Sequence, residues 1–139
     1  MHLTIHTDGG SLNNPGPAAC AYIISKDDNS VAEQKFFYLG AQTNNFAEYT
    51  GVKNALLALL RLKKKMEFSS LSFISDSLLL VNQLNGLYKV KNEVIRSFVF
   101  EIRSLEQQIN VPISYKHVLR ELNQEADTLV KTCLDPYHS

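Results

Sequence analysis

A single change of hydrophobic period, near residue 43, decides what this chain can fold into. Before it, "HLTIHTD" (2–8) alternates apolar and polar residues as a half-buried strand does, and "ACAYIISK" (19–26) and "VAEQKFFYL" (31–39) read as two more strands. Asp27, Asp28, Asn29 and Ser30 between the latter two supply turn chemistry, so these three strands predict an antiparallel meander. After it, "TNNFAEYTGVKNALLALLRLKKK" (43–65) places Val52, Ala55, Leu56, Leu59 and Leu62 at helical spacing, predicting a helix over about 46–64.

The rest of the chain alternates. "LSFIS" (71–75) predicts a short buried strand, followed by a helix over about 77–84 and a break at Gly86. A third helix (92–109) carries Val94, Ile95, Phe98, Ile102, Leu105 and Ile109. "VPISYKHV" (111–118) is the last strand, and a final helix takes Leu122, Ala126, Leu129, Val130 and Cys133 as its buried stripe. Three strands followed by helices alternating with two more predict an α/β fold: a five-stranded mixed sheet, three strands antiparallel and then two parallel, with helices on both faces. With no repeat, low-complexity tract or linker, residues 1–139 are expected to form one domain.

Composition narrows the partners. Fourteen Lys plus Arg balance fourteen Asp plus Glu, so bulk attraction announces no polyanion, and any nucleic-acid site must be local. The run Arg61, Lys63, Lys64, Lys65 reads first as a solvated helix end. Cys20 and Cys133 form no Cys-x-x-Cys pair and sit among apolar neighbours as core thiols. No apolar signal segment and no span of 18 or more apolar residues occurs, which makes a cytoplasmic protein without membrane contact the expectation.

Four acids stand out. Glu48 shares the apolar face of the helix with Val52, although Asn45 and Glu48 also have the spacing of a capping box. Asp8 and Asp76 end the first and fourth strands, which parallel pairing would place side by side at the carboxyl edge of the sheet, where ligands bind in such folds. Asp127 shares a flank of the last helix with Asn123 and can look back toward that edge. Each has an ordinary reading too: a turn for Asp8 with Gly9, an N-cap for Asp76, a solvated helix residue for Asp127. Gathered in one pocket, the four would repel one another unless cations lay between them. Oxygen donors without His or Cys suit Mg²⁺ or Mn²⁺, and two such ions about 3.5 to 4 Å apart clamp the attacking and leaving oxygens of a phosphoryl displacement.

These segments resemble the type 1 ribonuclease H family over nearly the whole chain. "TDGGSLNNPGPAACAYII" resembles its first two strands, "TNNFAEYTGVKNALLAL" the helix with the metal-binding Glu, and "ISDSLLLVNQLNG" and "HVLRELNQEADTLV" the segments with its third and fourth acids. Asp8, Glu48, Asp76 and Asp127 fill the family's acidic set. The resemblance implies a ribonuclease H-like fold and an endonuclease that cuts the RNA strand of an RNA/DNA hybrid, using two Mg²⁺ or Mn²⁺ ions and leaving 3′-hydroxyl and 5′-phosphate ends. It implies that Asp8 bridges both ions, that Glu48 and Asp76 hold one, and that Asp127 helps hold the ion that activates water. Gly9, Gly10 and Asn14, in the loop after the first strand, and Thr43 and Asn44, at the helix start, match positions that bind the hybrid, whose 2′-hydroxyls distinguish RNA from DNA.

Two departures mark a short branch of the family. "LYKVKNEV" (87–94) leaves no room for the basic insertion with which some relatives grip the hybrid, so affinity is expected to be weak or supplied by a protein partner. His117 falls at a strand end, ten residues before Asp127, rather than in the loop where many relatives carry a His that assists proton transfer or product release. Three other readings stay open: a proofreading exonuclease, whose Asp-x-Glu is "TDGG" here, a junction resolvase, and a non-catalytic nucleic-acid-binding domain of the same fold.

Overall fold

The computed structural model describes residues 1–138. Strands β1 (His2–Ser11), β2 (Gly16–Ser25) and β3 (Val31–Gln42) precede helix α1 (Asn44–Leu62). They are followed by β4 (Ser70–Ser75), α2 (Leu78–Leu84), α3 (Glu93–Ile109), β5 (Ile113–His117) and α4 (Gln124–Leu134), with short 3₁₀ turns at Arg120–Leu122 and Asp135–Tyr137. The sheet runs β3-β2-β1-β4-β5, with β1–β2 and β2–β3 antiparallel and β1–β4 and β4–β5 parallel. This is the expected mixed sheet.

Two cores sandwich it. On one face, Leu3, Ile5, Tyr22, Ile24, Leu71 and Phe73 pack against the apolar stripes of α1 and α3. Leu56 and Leu59 of α1 are fully buried there, each contributing about 1.5–3 kcal/mol. On the other face Ala19 and Ala21 are small enough for α4 to lie close, through Val130, Cys133 and Leu134. Covered on both sides, β2 is buried continuously from Ala18 to Ile24, and Cys20 and Cys133 are buried free thiols, as expected. Among the described residues no helix is long and apolar enough to cross a membrane.

Several expected boundaries move. β1 does not end at Asp8: Gly9, Gly10 and Ser11 pair with Cys20, Ala19 and Ala18, so the two glycines are strand residues, and Leu12–Pro15 make the turn. α1 starts at Asn44 because the Thr43 hydroxyl caps it, accepting from the Phe46 amide at 3.1 Å. Glu48 is therefore the fifth helical residue, and the Asn45–Glu48 capping box does not form. Ser77, not Asp76, caps α2 by accepting from the Leu80 amide. Leu122 is 66% exposed in a 3₁₀ turn outside α4, and Val94, 52% exposed, lies off the buried stripe of α3.

Candidate active site

The parallel β1–β4 ladder ends at the His6–Ile74 pair. Two residues further on from each come Asp8 and Asp76, past the last β1–β4 pair: β1 continues to Ser11 paired with β2 alone, while the segment after β4 turns into α2. α1 leaves β3 and crosses over β1, and its close approach depends on Gly9. A Cβ there would stand 2.4 Å from the Ala47 carbonyl carbon and from the Glu48 amide nitrogen. The absent side chain of Gly9 thus sets how near Glu48 comes to Asp8. From the other face, α4 brings Asp127 to the same place. Asp8, Glu48, Asp76 and Asp127 all line one cleft of about 440 Å³, together with Gly9, Gly10, Asn44, Ser77, Arg120 and Lys131.

The electrostatics divide the four acids. Burial, and then repulsion from Asp76, Asp127 and Glu48, pushes the Asp8 carboxyl up to about 8, despite a hydrogen bond from the Gly9 backbone. Burial also raises Glu48, to about 7, with Asp76 adding to the shift and the Ser77 hydroxyl opposing it. Asp76 is raised by burial and by Asp127, while Arg120 and His117 oppose the rise. Asp127 goes the other way. Burial raises it, but Lys131 at 2.9 Å and Arg120 at 3.4 Å outweigh that and hold it below the ordinary value.

These four acids satisfy the chemistry of a hard divalent ion. The donors are all carboxylate oxygens, and the deep pair Asp8 and Glu48 lacks a compensating cation, since Arg120 and Lys131 form their ion pairs with Asp127. Among the described residues, however, no three His, Cys, Asp or Glu side chains stand close enough to hold an ion between them. An ion that binds through one or two carboxylates plus water and substrate phosphate oxygens needs no such trio.

The other expected residues divide into open and occupied ones. A side chain at Gly10 would not clash, since a Cβ there would meet Asn44 Oδ1 and Val130 Cγ1 in ordinary contact at 3.9 Å. Asn44 Oδ1 accepts from the Ser11 amide at 2.8 Å, and the Asn44 amide donates to Asn14 Oδ1 at 2.9 Å, tying the β1–β2 turn to α1. A second cleft adjoins the acidic one through Asn44 and Glu48. It is rich in amides and hydroxyls: Asn14, Gln42, Thr43, Asn45, Gln83 and Asn92 line it. His117 closes β5 opposite Ser75, at the strand end where it was expected. The β5–α4 connection is short, and eight residues, 85–92, join α2 to α3 without a basic insertion.

Sequence reasoning missed Arg120 and Lys131. Lys131 was within reach, because it lies four residues after Asp127 on one helix. Arg120 had no such signal, since a 3₁₀ turn outside the helix brings it in.

A family model described as reverse transcriptase-like matches residues 6–133. Ribonuclease HI of Halobacterium salinarum is 32% identical over 128 residues, covering 92% of this chain and 62% of that protein. The bifunctional protein Rv2228c of Mycobacterium tuberculosis is 33% identical over 136 residues, 97% of this chain but 36% of its own length. The chain thus spans about a third of the mycobacterial relative. Among solved structures, LC11-RNase H1 in complex with RNA/DNA hybrid superposes with a TM-score of 0.91 at 31% identity, covering 99% of both chains.

Proposed function

Since this chain belongs to the ribonuclease HI family, we propose that it is an endoribonuclease that hydrolyses the RNA strand of RNA/DNA hybrids in one ribonuclease H domain. The observation that carries this reading is that Asp8, Glu48, Asp76 and Asp127, brought from β1, α1, the end of β4 and α4, all line one cleft. Homologues of this family imply a divalent metal. For this chain we propose two Mg²⁺ or Mn²⁺ ions, with Asp8, Glu48, Asp76 and Asp127 as the residues that would hold them, each ion taking one or two of these carboxylates together with water and substrate phosphate oxygens. Bound there, such ions supply an activated water and neutralise the charge that develops on the phosphate and the leaving oxygen, giving 3′-hydroxyl and 5′-phosphate ends.

The chain's own residues set the stage for that chemistry. Burial makes Asp8 and Glu48 costly to ionise alone, so the site favours cations strongly at the pH where both lose their protons. Lys131 and Arg120 keep Asp127 ionised and fix its carboxylate in one orientation. The adjoining amide-rich cleft offers neutral donors and acceptors to a nucleic-acid strand, with Gly9, Gly10, Asn14, Thr43 and Asn44 along the way. Hybrid is the partner we propose, with a further protein partner to supply the grip that the missing insertion leaves out. The buried free thiols suit a reducing compartment, and the cytoplasm is the one we propose.

The test is a panel of labelled RNA/DNA, RNA/RNA and DNA/DNA duplexes in Mg²⁺, Mn²⁺ or EDTA, with end groups analysed. Metal-dependent internal cuts in the hybrid's RNA with 5′-phosphate ends are expected. Hybrid bound by the folded protein but left whole in either metal would favour the non-catalytic domain instead, and cutting of branched DNA alone would favour a resolvase.

A further inference from the structure

Asn123 is 1% exposed, yet it is polar, and only half of its amide is satisfied. Nδ2 donates to the Thr7 carbonyl at 2.9 Å, whereas Oδ1 is buried without a partner. Thr7 directly precedes Asp8 and is the first residue of β1 beyond the last β1–β4 ladder pair, His6–Ile74. The amide therefore reaches β1 just where its parallel partner is lost. On its other side, the Asn123 backbone carbonyl accepts from the Asp127 amide at 3.1 Å, in the first turn of α4. One buried residue is thus bonded both to the strand position next to Asp8 and to the backbone of Asp127.

A purely stabilising role does not account for this choice. A buried amide with an orphaned oxygen is a poor core residue, because it forgoes apolar burial and leaves a polar atom desolvated. Val130 and Cys133 hold α4 against the sheet through apolar packing, with Val130 also reaching Gly10 of β1, and such packing is non-directional. The bond from Nδ2 to the Thr7 carbonyl adds a directional tie at one fixed point of β1. From this geometry we infer that Asn123 is a positioning residue, a strut that sets the spacing between Asp8 and Asp127 and so the affinity of the carboxylate cleft for divalent ions. This inference rests on the ribonuclease reading, since it presumes that Asp8 and Asp127 act on the same ions.

The experiment compares wild-type protein with Asn123→Leu and Asn123→Ala. Mn²⁺ binding without substrate is followed by electron paramagnetic resonance, thermal midpoints are measured without metal, and kcat and KM are measured on hybrid across a Mn²⁺ titration. The strut predicts that Asn123→Leu, which removes the orphaned oxygen and adds apolar surface, keeps or raises the thermal midpoint. It also predicts that both variants bind Mn²⁺ about ten- to a hundredfold more weakly, the range found when residues supporting a metal ligand are lost. kcat at fixed low Mn²⁺ should fall in step and recover at high Mn²⁺, while KM for hybrid stays within about twofold, because Asn123 lies outside the substrate cleft. Folded variants with wild-type Mn²⁺ affinity would overturn the strut and leave the ribonuclease reading standing. Wild-type protein that neither binds Mn²⁺ nor cuts hybrid would overturn both.

Discussion

Asp8 and Gly9 are neighbours with opposite tasks. Asp8 carries a charge the fold does not want, and Gly9 withholds a side chain so that Glu48 can approach. Asp8 and Glu48 hold their protons more tightly in the folded chain, at about 8 and about 7, than at their ordinary 3.8 and 4.5. Their contribution to stability is therefore fully present below those ordinary values and is lost as pH rises through 7 to 8. The metal-free protein should melt lower at pH 8 than these groups allow at pH 4, and Mg²⁺ should restore much of the loss. Asp8→Asn removes the unwanted charge. Without metal at pH 8 it should gain about 1–2 kcal/mol, read as a rise of about 4–8 °C in Tm, and the gain should shrink to at most a few tenths of that at pH 3.5, where Asp8 is protonated in the folded chain and mostly so in the unfolded one. A gain that persists undiminished at pH 3.5 would mean that something other than charge is responsible. At Gly9, the Cβ of Gly9→Ala would meet backbone at 2.4 Å, so the first turns of α1 must shift and take Glu48 with them. Cleavage about 10²-fold slower, with about 1–3 kcal/mol lost in denaturant unfolding, is the expected result.

At the scale of elements, the periodicity of the sequence was enough to find every strand and helix that builds the sheet, since α1, α3 and α4 each carry a 3.6-residue stripe and β1 a two-residue alternation. Ends were harder to read, for local reasons. Gly9 and Gly10 look like turn residues, but pairing with β2 holds them in the strand. Leu122 fits the apolar stripe of α4 by spacing, but Asn123 breaks the helix with φ −127° and ψ 28° and leaves Leu122 in solvent. The four acids were legible because Asp8 and Asp76 fall two residues past the last pair of two parallel strands, while Glu48 and Asp127 lie on the inward sides of their helices. Their cationic neighbours were not, because Arg120 reaches Asp127 from an irregular turn. Thr43 resolves the start of α1, and Thr43→Ala should cost about 1 kcal/mol by removing the acceptor for the Phe46 amide, with Thr43→Ser restoring most of it in thermal unfolding. An unchanged Tm in Thr43→Ala would show that packing alone sets the helix start.

At the scale of the whole molecule, the proposed polyanion partner would meet a chain with no net charge, a concentration of acid in the cleft of the four carboxylates, and no basic insertion between α2 and α3. Affinity for hybrid should therefore depend little on salt. A plot of log affinity against log salt should have a slope shallower than about −4, corresponding to only a few phosphates neutralised by side chains. A steep slope would reveal a basic surface that acts only in the complex. Asp8, Glu48, Asp76 and Asp127 are proposed to form a single metal-dependent centre that cuts RNA. The most direct test is single-turnover cleavage of a 5′-labelled RNA/DNA hybrid as Mg²⁺ is titrated in, for the wild-type protein and for Asp8→Asn, Glu48→Gln, Asp76→Asn and Asp127→Asn. The account predicts internal RNA cuts that need the metal and a rate at least about 10²-fold lower in each variant. Wild-type cleavage that survives EDTA, or any of the four variants cutting as fast as the wild type, would contradict it.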